Sequence, residues 1–383
     1  MGPLEGVKII EMAGIGPAPF AAMLLADMGA DVVRIERPTA SDLGVTIPPR
    51  FDVYNRNKRS IVVDLKSEAG LAAALRMVGE ADILIEGFRP GVMERLGLGP
   101  AVCLGANPAL VYGRMTGWGQ DGVLSHTAGH DLNYIALTGA LHAIGPRDGD
   151  PTVPLNLVGD LGGGALYLAM GVLAGLVNAR VSGRGQVVDA AIVDGTASMM
   201  SMFHALRQMG AWADRRGENL LDGGAHFYGV YETRDGGHVS VAAIEGRFYR
   251  ELIQRLGLAG EDLPSQHDRR HWPAMRERFA ALFRTRTRDE WTAVFEGSDA
   301  CFAPVLDLEE AGAHPVAADR GMFDTLDGVL QPKPAPRFSR TPGALNRSAP
   351  APGDGDREAL RDWGFSEPDI ADLTRDGAIV PRN

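Results

Sequence analysis

Two side chains stand out for what they could do to a carbon-bound proton. His130 sits in Gly129-His130-Asp131-Leu132-Asn133-Tyr134, and Asp160 follows thirty residues later in Val158-Gly159-Asp160. Each opens a segment of helical character, so each stands near the positive end of a helix dipole. A histidine and a carboxylate so placed are two bases of different chemistry. One can remove a proton from one face of a carbon while the other returns it to the opposite face. Taken singly, neither residue demands this reading. A histidine is often a satisfied core residue, and Asp160 ahead of Gly162-Gly163-Gly164 and an apolar run also reads as a helix N-cap.

Other motifs point elsewhere and fall short. Gly14-Ile15-Gly16 after a first strand, with Glu36 ending a second, mimics a dinucleotide fingerprint, but the third glycine is missing and Pro17 and Pro19 remove amide donors. A tight strand-to-helix turn is the better reading. His126 and His130 have helical spacing for a metal pair, yet Thr127 stands where a zinc-site glutamate belongs and Gly129 interrupts the helix, so no metal is expected. The 383 residues are 45% hydrophobic and 23% charged, with a net charge of -11. That describes an ordinary soluble chain and argues against general nucleic-acid binding. Cys103 and Cys301 alone make no disulfide framework. The longest apolar run, 165–177, is short and Gly-interrupted, so it reads as a buried helix rather than a membrane span. No basic-then-apolar leader opens the chain, and Pro381-Arg382-Asn383 is not a peroxisomal tripeptide. The cytoplasm is therefore the expected location.

Positioning falls to an alternation of strands and helices. Residues 7–12, 31–36, 60–65, 82–86 and 110–115 read as strands, with helices at 19–28 and 68–78 between them. Such alternation predicts an α/β fold with a Rossmann-like parallel sheet. A core helix is expected from Asp160 to 177, then strand and helix from 186 to about 209. Met199, Met200, Met202 and Met209 read chiefly as core. The composition shifts at a polar linker, 211–225, after a large domain whose first part spans 1–210. A hairpin follows, with strands 227–232 and 238–243 around an Asp-Gly turn, then helices at 247–256, 272–283 and 288–295. This predicts a small α+β domain over 226–310. Residues 311–383 return to the large domain through a Pro-rich stretch, with a last helix at 357–363.

Several words recur in one order along some 340 residues: Leu24-Leu25-Ala26-Asp27-Met28-Gly29-Ala30-Asp31, Arg56-Asn57-Lys58-Arg59-Ser60, Glu86-Gly87-Phe88-Arg89-Pro90-Gly91, Arg114-Met115-Thr116-Gly117-Trp118-Gly119-Gln120, Gly129-His130-Asp131, Val158-Gly159-Asp160 and Ala300-Cys301-Phe302-Ala303-Pro304-Val305. With them the chain resembles the alpha-methylacyl-CoA racemases of the family III CoA-transferase superfamily. The resemblance implies an isomerase that interconverts (2R)- and (2S)-2-methylacyl-CoA thioesters by proton transfer through an enolate. His130 and Asp160 would be its bases, and Glu245 of a second subunit would stand beside the histidine. Here Gly246-Arg247-Phe248 follows Glu245, where the family more often has Pro-Gln-Phe.

Further residues are implied for CoA. Arg37, Lys58, Arg89 and Arg95 match positions around its phosphates, and Val63, Asp64 and Leu65 match the segment lining the adenine. Gly87 and Phe88 belong to the same surface, as do Gly129, Asp131, Leu132, Asn133 and Tyr134, with the Asp131 amide facing the thioester oxygen. No cofactor is implied, since CoA is part of the substrate. The implied assembly is an interlinked homodimer of ring-like subunits. The rival within the superfamily is a CoA transferase with Asp160 as nucleophile. His130 would be superfluous there, and the glycine lid that such transferases carry is absent from 241–246.

Overall fold

The structure is a computed structural model that describes residues 2–39 and 47–380. The chain divides into two units: Met1–Thr138 with Leu155–Met199 and Gly321–Asn383, and Gly139–Pro154 with Met200–Arg320. The continuous first part expected over 1–210 is therefore corrected, because 139–154 and 200–210 pack with the second unit. Polar ties explain the excursion. The His142 ring meets Asp214 O at 2.8 Å, and the Arg216 guanidinium donates to His142 O and Gly149 O at 3.0 and 2.7 Å.

The first unit is built on six parallel strands, β1 (Lys8–Met12), β2 (Asp31–Glu36), β3 (Arg59–Val62), β4 (Ile83–Glu86), β5 (Val111–Thr116) and β6 (Val187–Ala191). They lie in the order β3-β2-β1-β4-β5-β6, every pair parallel. Buried on both faces, the strands read as nearly continuous apolar runs. Ile10, Val33 and Leu84 face the helix Glu68–Glu80 and Trp363, while Ile9, Val32 and Ile83 face the helices Pro17–Asp27 and Leu166–Ser182. This is the doubly wound order. Its direction reverses between β1 and β4, which opens a crevice at the carboxyl ends of the strands.

Residues 56–60 clasp the returning chain onto this unit. Arg56 meets Asp27 at 2.6 Å and donates to Gln331 Oε1 and Pro332 O. Asn57 adopts a left-handed φ of 59° and bonds Ala344 O, with its own Oδ1 accepting the amides of Asn346 and Arg347. Arg59 bridges Asp31 and Asp362, and Ser60 accepts the Gly353 amide. Part of the return stretch is a short hairpin, Phe323–Leu326 against Val329–Pro332.

Asp160 does not cap an α-helix. It lies in the first turn of a π-helix, Leu157–Ala165, whose N-cap is Asn156 and which runs into the α-helix Leu166–Ser182. Glycines make the wider coil packable: Gly163 and Gly195 approach so closely that a Cβ on Gly195 would lie 1.9 Å from Gly163 O. Single π segments are frequent at functional sites. Leu157–Ser182 is also long and apolar enough to cross a membrane by length and composition, which the shorter run read from sequence was not. The buried-helix reading holds for one face only. Leu168, Val172, Leu176 and Ala179 enter the sheet core, whereas Leu166, Met170, Val177 and Val181 are exposed.

In the second unit β7 (Tyr228–Glu232) and β8 (His238–Ala242) form the expected antiparallel hairpin, joined by an edge strand, β9 (Phe302–Val305), that Pro304 disguised. Helices Gly246–Arg255, Trp272–Phe283 and Arg288–Phe295 pack around an aromatic core of Phe227, Tyr231, Phe279, Phe283 and Trp291. Met202 and Met209 are exposed in this unit and Met199 in the first, which corrects their reading as core.

Candidate active site

The crevice at the switch point holds a cavity of about 320 Å³. Its walls come from the turns after three neighbouring strands: 15–17 after β1, 87–90 after β4, and 116–118 at the end of β5. His130, Gly129, Tyr134 and Asp160 complete it. Ile15 and Gly16 of the Gly14-Ile15-Gly16 turn thus line the site.

His130 is the N-cap of the helix Asp131–Leu137, in extended backbone with φ −133°. Its amide donates to Asn133 Oδ1 at 3.0 Å, and its carbonyl accepts the Asn133 amide at 2.8 Å. This reciprocal cap fixes the backbone that carries the imidazole. Tyr134 braces the same point from the next turn. Its hydroxyl donates to Gly129 O, its ring meets Trp118 edge-on at 4.7 Å, and it leaves no room for a side chain at Gly117, where a Cβ would lie 2.0 Å from the ring.

Asp131 joins the two halves. Its buried carboxylate accepts the backbone N–H of Asp160 at 2.6 Å through Oδ1, while Oδ2 is buried without a hydrogen-bond partner among the described residues. Gly159 is required beside it, since a Cβ there would lie 2.3 Å from Asp131 Oδ1. Sequence reasoning gave Asp131 an amide facing the substrate and overlooked this side-chain tie. The words Gly-His-Asp and Val-Gly-Asp were the available signal, because each contributes one partner of the contact.

The Asp160 carboxyl lines the cavity half-buried, and burial raises its pKa above the ordinary 3.8. Asn156, 3.4 Å from Oδ2, works against that rise, Asp131 adds to it, and a charge on His130 opposes it. A carboxylate so placed is more basic than one in water, as a proton acceptor in a shielded site must be.

The other candidates divide. Gly87, Phe88 and Arg89 line the cavity with Gly129 and Tyr134. Arg37 and Arg95 are exposed outside the lining, and Arg95 folds back towards Gly91. Leu132 is exposed, and Asn133 serves the cap. Val63 is buried, bridged to Ile379, while the Asp64 amide donates to Ala378 O and Leu65 packs on the core. Lys58 is a correction. Its ammonium is fully buried, with Glu11 at 2.5 Å, Pro19 O at 2.9 Å and Asn55 Oδ1 at 3.2 Å. Three donors with three partners leave nothing for a phosphate. Glu245 stands exposed in the second unit as N-cap of Gly246–Arg255. Sequence reasoning also left out Trp118, Ile15 and Ser125, which line the cavity.

Comparisons with known proteins bear on this site. The model of CoA-transferase family III matches residues 4–355. Alpha-methylacyl-CoA racemase of Mus musculus is 45% identical over 379 residues, covering 98% of this chain and 97% of the mouse protein. The protein of that name from Homo sapiens is 42% identical, with the same coverage. Succinyl-CoA:glutarate CoA-transferase of Homo sapiens is 29% identical over 88% of this chain and 81% of its own. Among solved structures, a CaiB/BaiF family protein from Brucella suis superimposes with a TM-score of 0.81 at 25% identity, covering 94% of this chain and 99% of that one. A family match over nearly the full length, two relatives well above 30% identity and a matching fold agree: the chain belongs to the family III CoA-transferases.

Proposed function

We propose that the protein is an isomerase interconverting (2R)- and (2S)-2-methylacyl-CoA thioesters, with His130 and Asp160 as its two bases. The observation that carries the reading is that an imidazole and a carboxyl raised by burial line one cavity at the switch point of the sheet. The relatives named racemase support the substrate class. One base takes the C2 proton, the electron pair moves onto the thioester oxygen, and the other base delivers a proton to the opposite face of C2. Amides that open the helix Asp131–Leu137 would favour the enolate with the thioester oxygen seated against them. The roles reverse for the other enantiomer, so the enzyme returns to its starting protonation state once its bases equilibrate with water. No cofactor takes part in these steps.

The exposed stripe Leu166, Met170, Val177 and Val181 supports association with a second copy of the chain. The same helix is committed to the sheet core through Leu168, Val172 and Leu176, so it is already anchored in a folded unit and is no free membrane span. A second copy would bring its own Glu245 to the assembly, where a carboxylate beside His130 would set the charge of the imidazole.

The test is incubation of a 2-methylacyl-CoA in heavy water. Deuterium at C2 with loss of optical purity is the expected result. Movement of CoA to an added free acid without C2 exchange would instead establish transferase chemistry with Asp160 as nucleophile.

A further inference from the structure

Beneath the cavity a row of charged residues crosses three strands in register. Glu86 ends β4, Arg114 is its direct partner on β5, and Asp189 is the partner of Arg114 on β6. Glu86 is completely buried. One of its oxygens accepts Arg114 Nε at 2.8 Å and the other accepts the Phe88 amide at 2.7 Å. The carboxylate therefore pins the first residues of the 87–90 wall. The terminal nitrogens of Arg114 continue to Glu94, at 2.9 and 3.3 Å, on the short helix Val92–Arg95 that follows the same wall. One guanidinium thus holds the loop from both ends. On the far side Asp189 accepts the Gln120 amide at 3.1 Å, which anchors the turn carrying Gly117 and Trp118, two more wall residues. Burial raises the Asp189 carboxyl, and the Gln120 amide and the Arg114 charge oppose it.

We propose that Arg114 is a positioning residue of the acyl-CoA site, holding the 87–90 wall from both ends, through Glu86 and Glu94, without touching the substrate. The inference rests on the acyl-CoA reading above. A buried arginine held by two carboxylates is a poor device for stability alone, because its desolvation offsets much of the attraction and apolar groups of the same volume would serve as well. It is a good device for geometry. The planar fork fixes directions that an ammonium does not, and small displacements of positioning groups are magnified in rate. The wall it holds carries Arg89, whose charge reaches Tyr134 on the helix behind His130.

The experiment uses the full chain in three forms, Arg114→Met, Arg114→Lys and the double variant Arg114→Met with Glu86→Gln. Free CoA affinity is measured by calorimetry, KM and kcat by C2 exchange of a 2-methylacyl-CoA, and Tm by melting. Arg114→Met is expected to weaken CoA binding and raise KM roughly tenfold or more, with a smaller fall in kcat. Arg114→Lys should recover only part of this, since one ammonium cannot span both carboxylates. The double variant relieves the stranded carboxylate, so Tm should return while KM and CoA affinity do not. A double variant that binds CoA as the wild type does would overturn the positioning role. So would a CoA affinity that recovers in step with Tm. A wild-type protein that binds no CoA would instead overturn the acyl-CoA reading itself, so the two failures are told apart.

Discussion

Residues 56–60 crowd polar side chains into one stretch, His130 and Asp160 stand thirty residues apart, and the fold treats the two groups in opposite ways. In the first stretch every charged group has its partner: Arg56 with Asp27, Lys58 with Glu11, Arg59 with Asp31 and Asp362. Arg56 and Arg59 hold the returning chain, Lys58 ties Glu11 to Pro19, and none of the three lines the cavity. Around His130 and Asp160 the backbone is held just as firmly, through the Asn133 cap, the Tyr134 hydroxyl on Gly129 and the Asp131 tie to the Asp160 amide. The two side chains they support face an open cavity. Charge density therefore does not mark the site. Groups left facing a cavity, on a backbone held by its neighbours, do.

The largest effect tests the open pair. His130→Ala and Asp160→Asn should each lower C2 exchange and racemisation by roughly 100- to 10,000-fold, the usual range for a general acid or base. Neither should lower the melting temperature appreciably, because neither group holds the fold together. Exchange kinetics beside a thermal melt check both halves. A variant whose lost activity came with lost folding would erase the contrast between the two regions.

Lys58→Met tests the closed stretch. It leaves Glu11 buried with Arg34, at 3.2 Å, as its remaining partner, and breaking a buried ion pair costs up to about 3–5 kcal/mol. Urea unfolding should show that loss, and Lys58→Met combined with Glu11→Gln should regain most of it. Where the variant remains folded, its affinity for CoA should equal that of the wild type. A fully stable Lys58→Met that had lost CoA would return Lys58 to the ligand.

The same contrast explains what was legible in the sequence. The sheet was, because strands buried on both faces are apolar runs between helices, and Asp31–Glu36 begins and ends where the sequence places it. The helices Trp272–Phe283 and Arg288–Phe295 were legible too. The π-helix was not, since Gly162-Gly163-Gly164 reads as weak helix and its reason is distant, in the backbone approach to Gly195. Edge strand Phe302–Val305 was hidden by Pro304. At the site, residue types suggested His130 and Asp160, but the burial of Lys58 was invisible because its partner Glu11 lies far away in sequence, on β1. The Asp131 carboxylate was missed for the same reason: each word held one partner of the contact, but neither reveals that the chain closes 29 residues to join them.

A pH series sharpens the comparison through sign. Burial raises the Asp160 carboxyl above 3.8, so its base form, and with it exchange in the direction where Asp160 accepts the proton, should fail as pH drops through that raised value. Stability follows the opposite course. The unfolded carboxyl ionises first, so the wild type loses stability as pH rises from 3.8 through the folded value. Asp160→Asn removes that loss and should therefore be more stable than the wild type at neutral pH, with the difference vanishing in acid. Urea unfolding at the two pH values measures it, and a variant less stable at neutral pH would show that Asp160 is held by the fold like Arg56.

The smallest effect concerns the cations that the clasp did not absorb. Arg89 lines the cavity, whereas Arg37 and Arg95 are exposed beyond it. Exposed ion pairs are weak and screened by salt, so Arg89→Ala should reduce free CoA affinity by only about two- to tenfold, and less at high ionic strength. Arg95→Ala should do less, because its guanidinium lies back against Gly91 rather than in the lining. Titrating CoA into both variants at low and high salt separates the cases. A larger, salt-insensitive loss in Arg95→Ala than in Arg89→Ala would mean that the phosphates bind away from the cavity mouth, and that lining the cavity is the wrong criterion for the CoA surface.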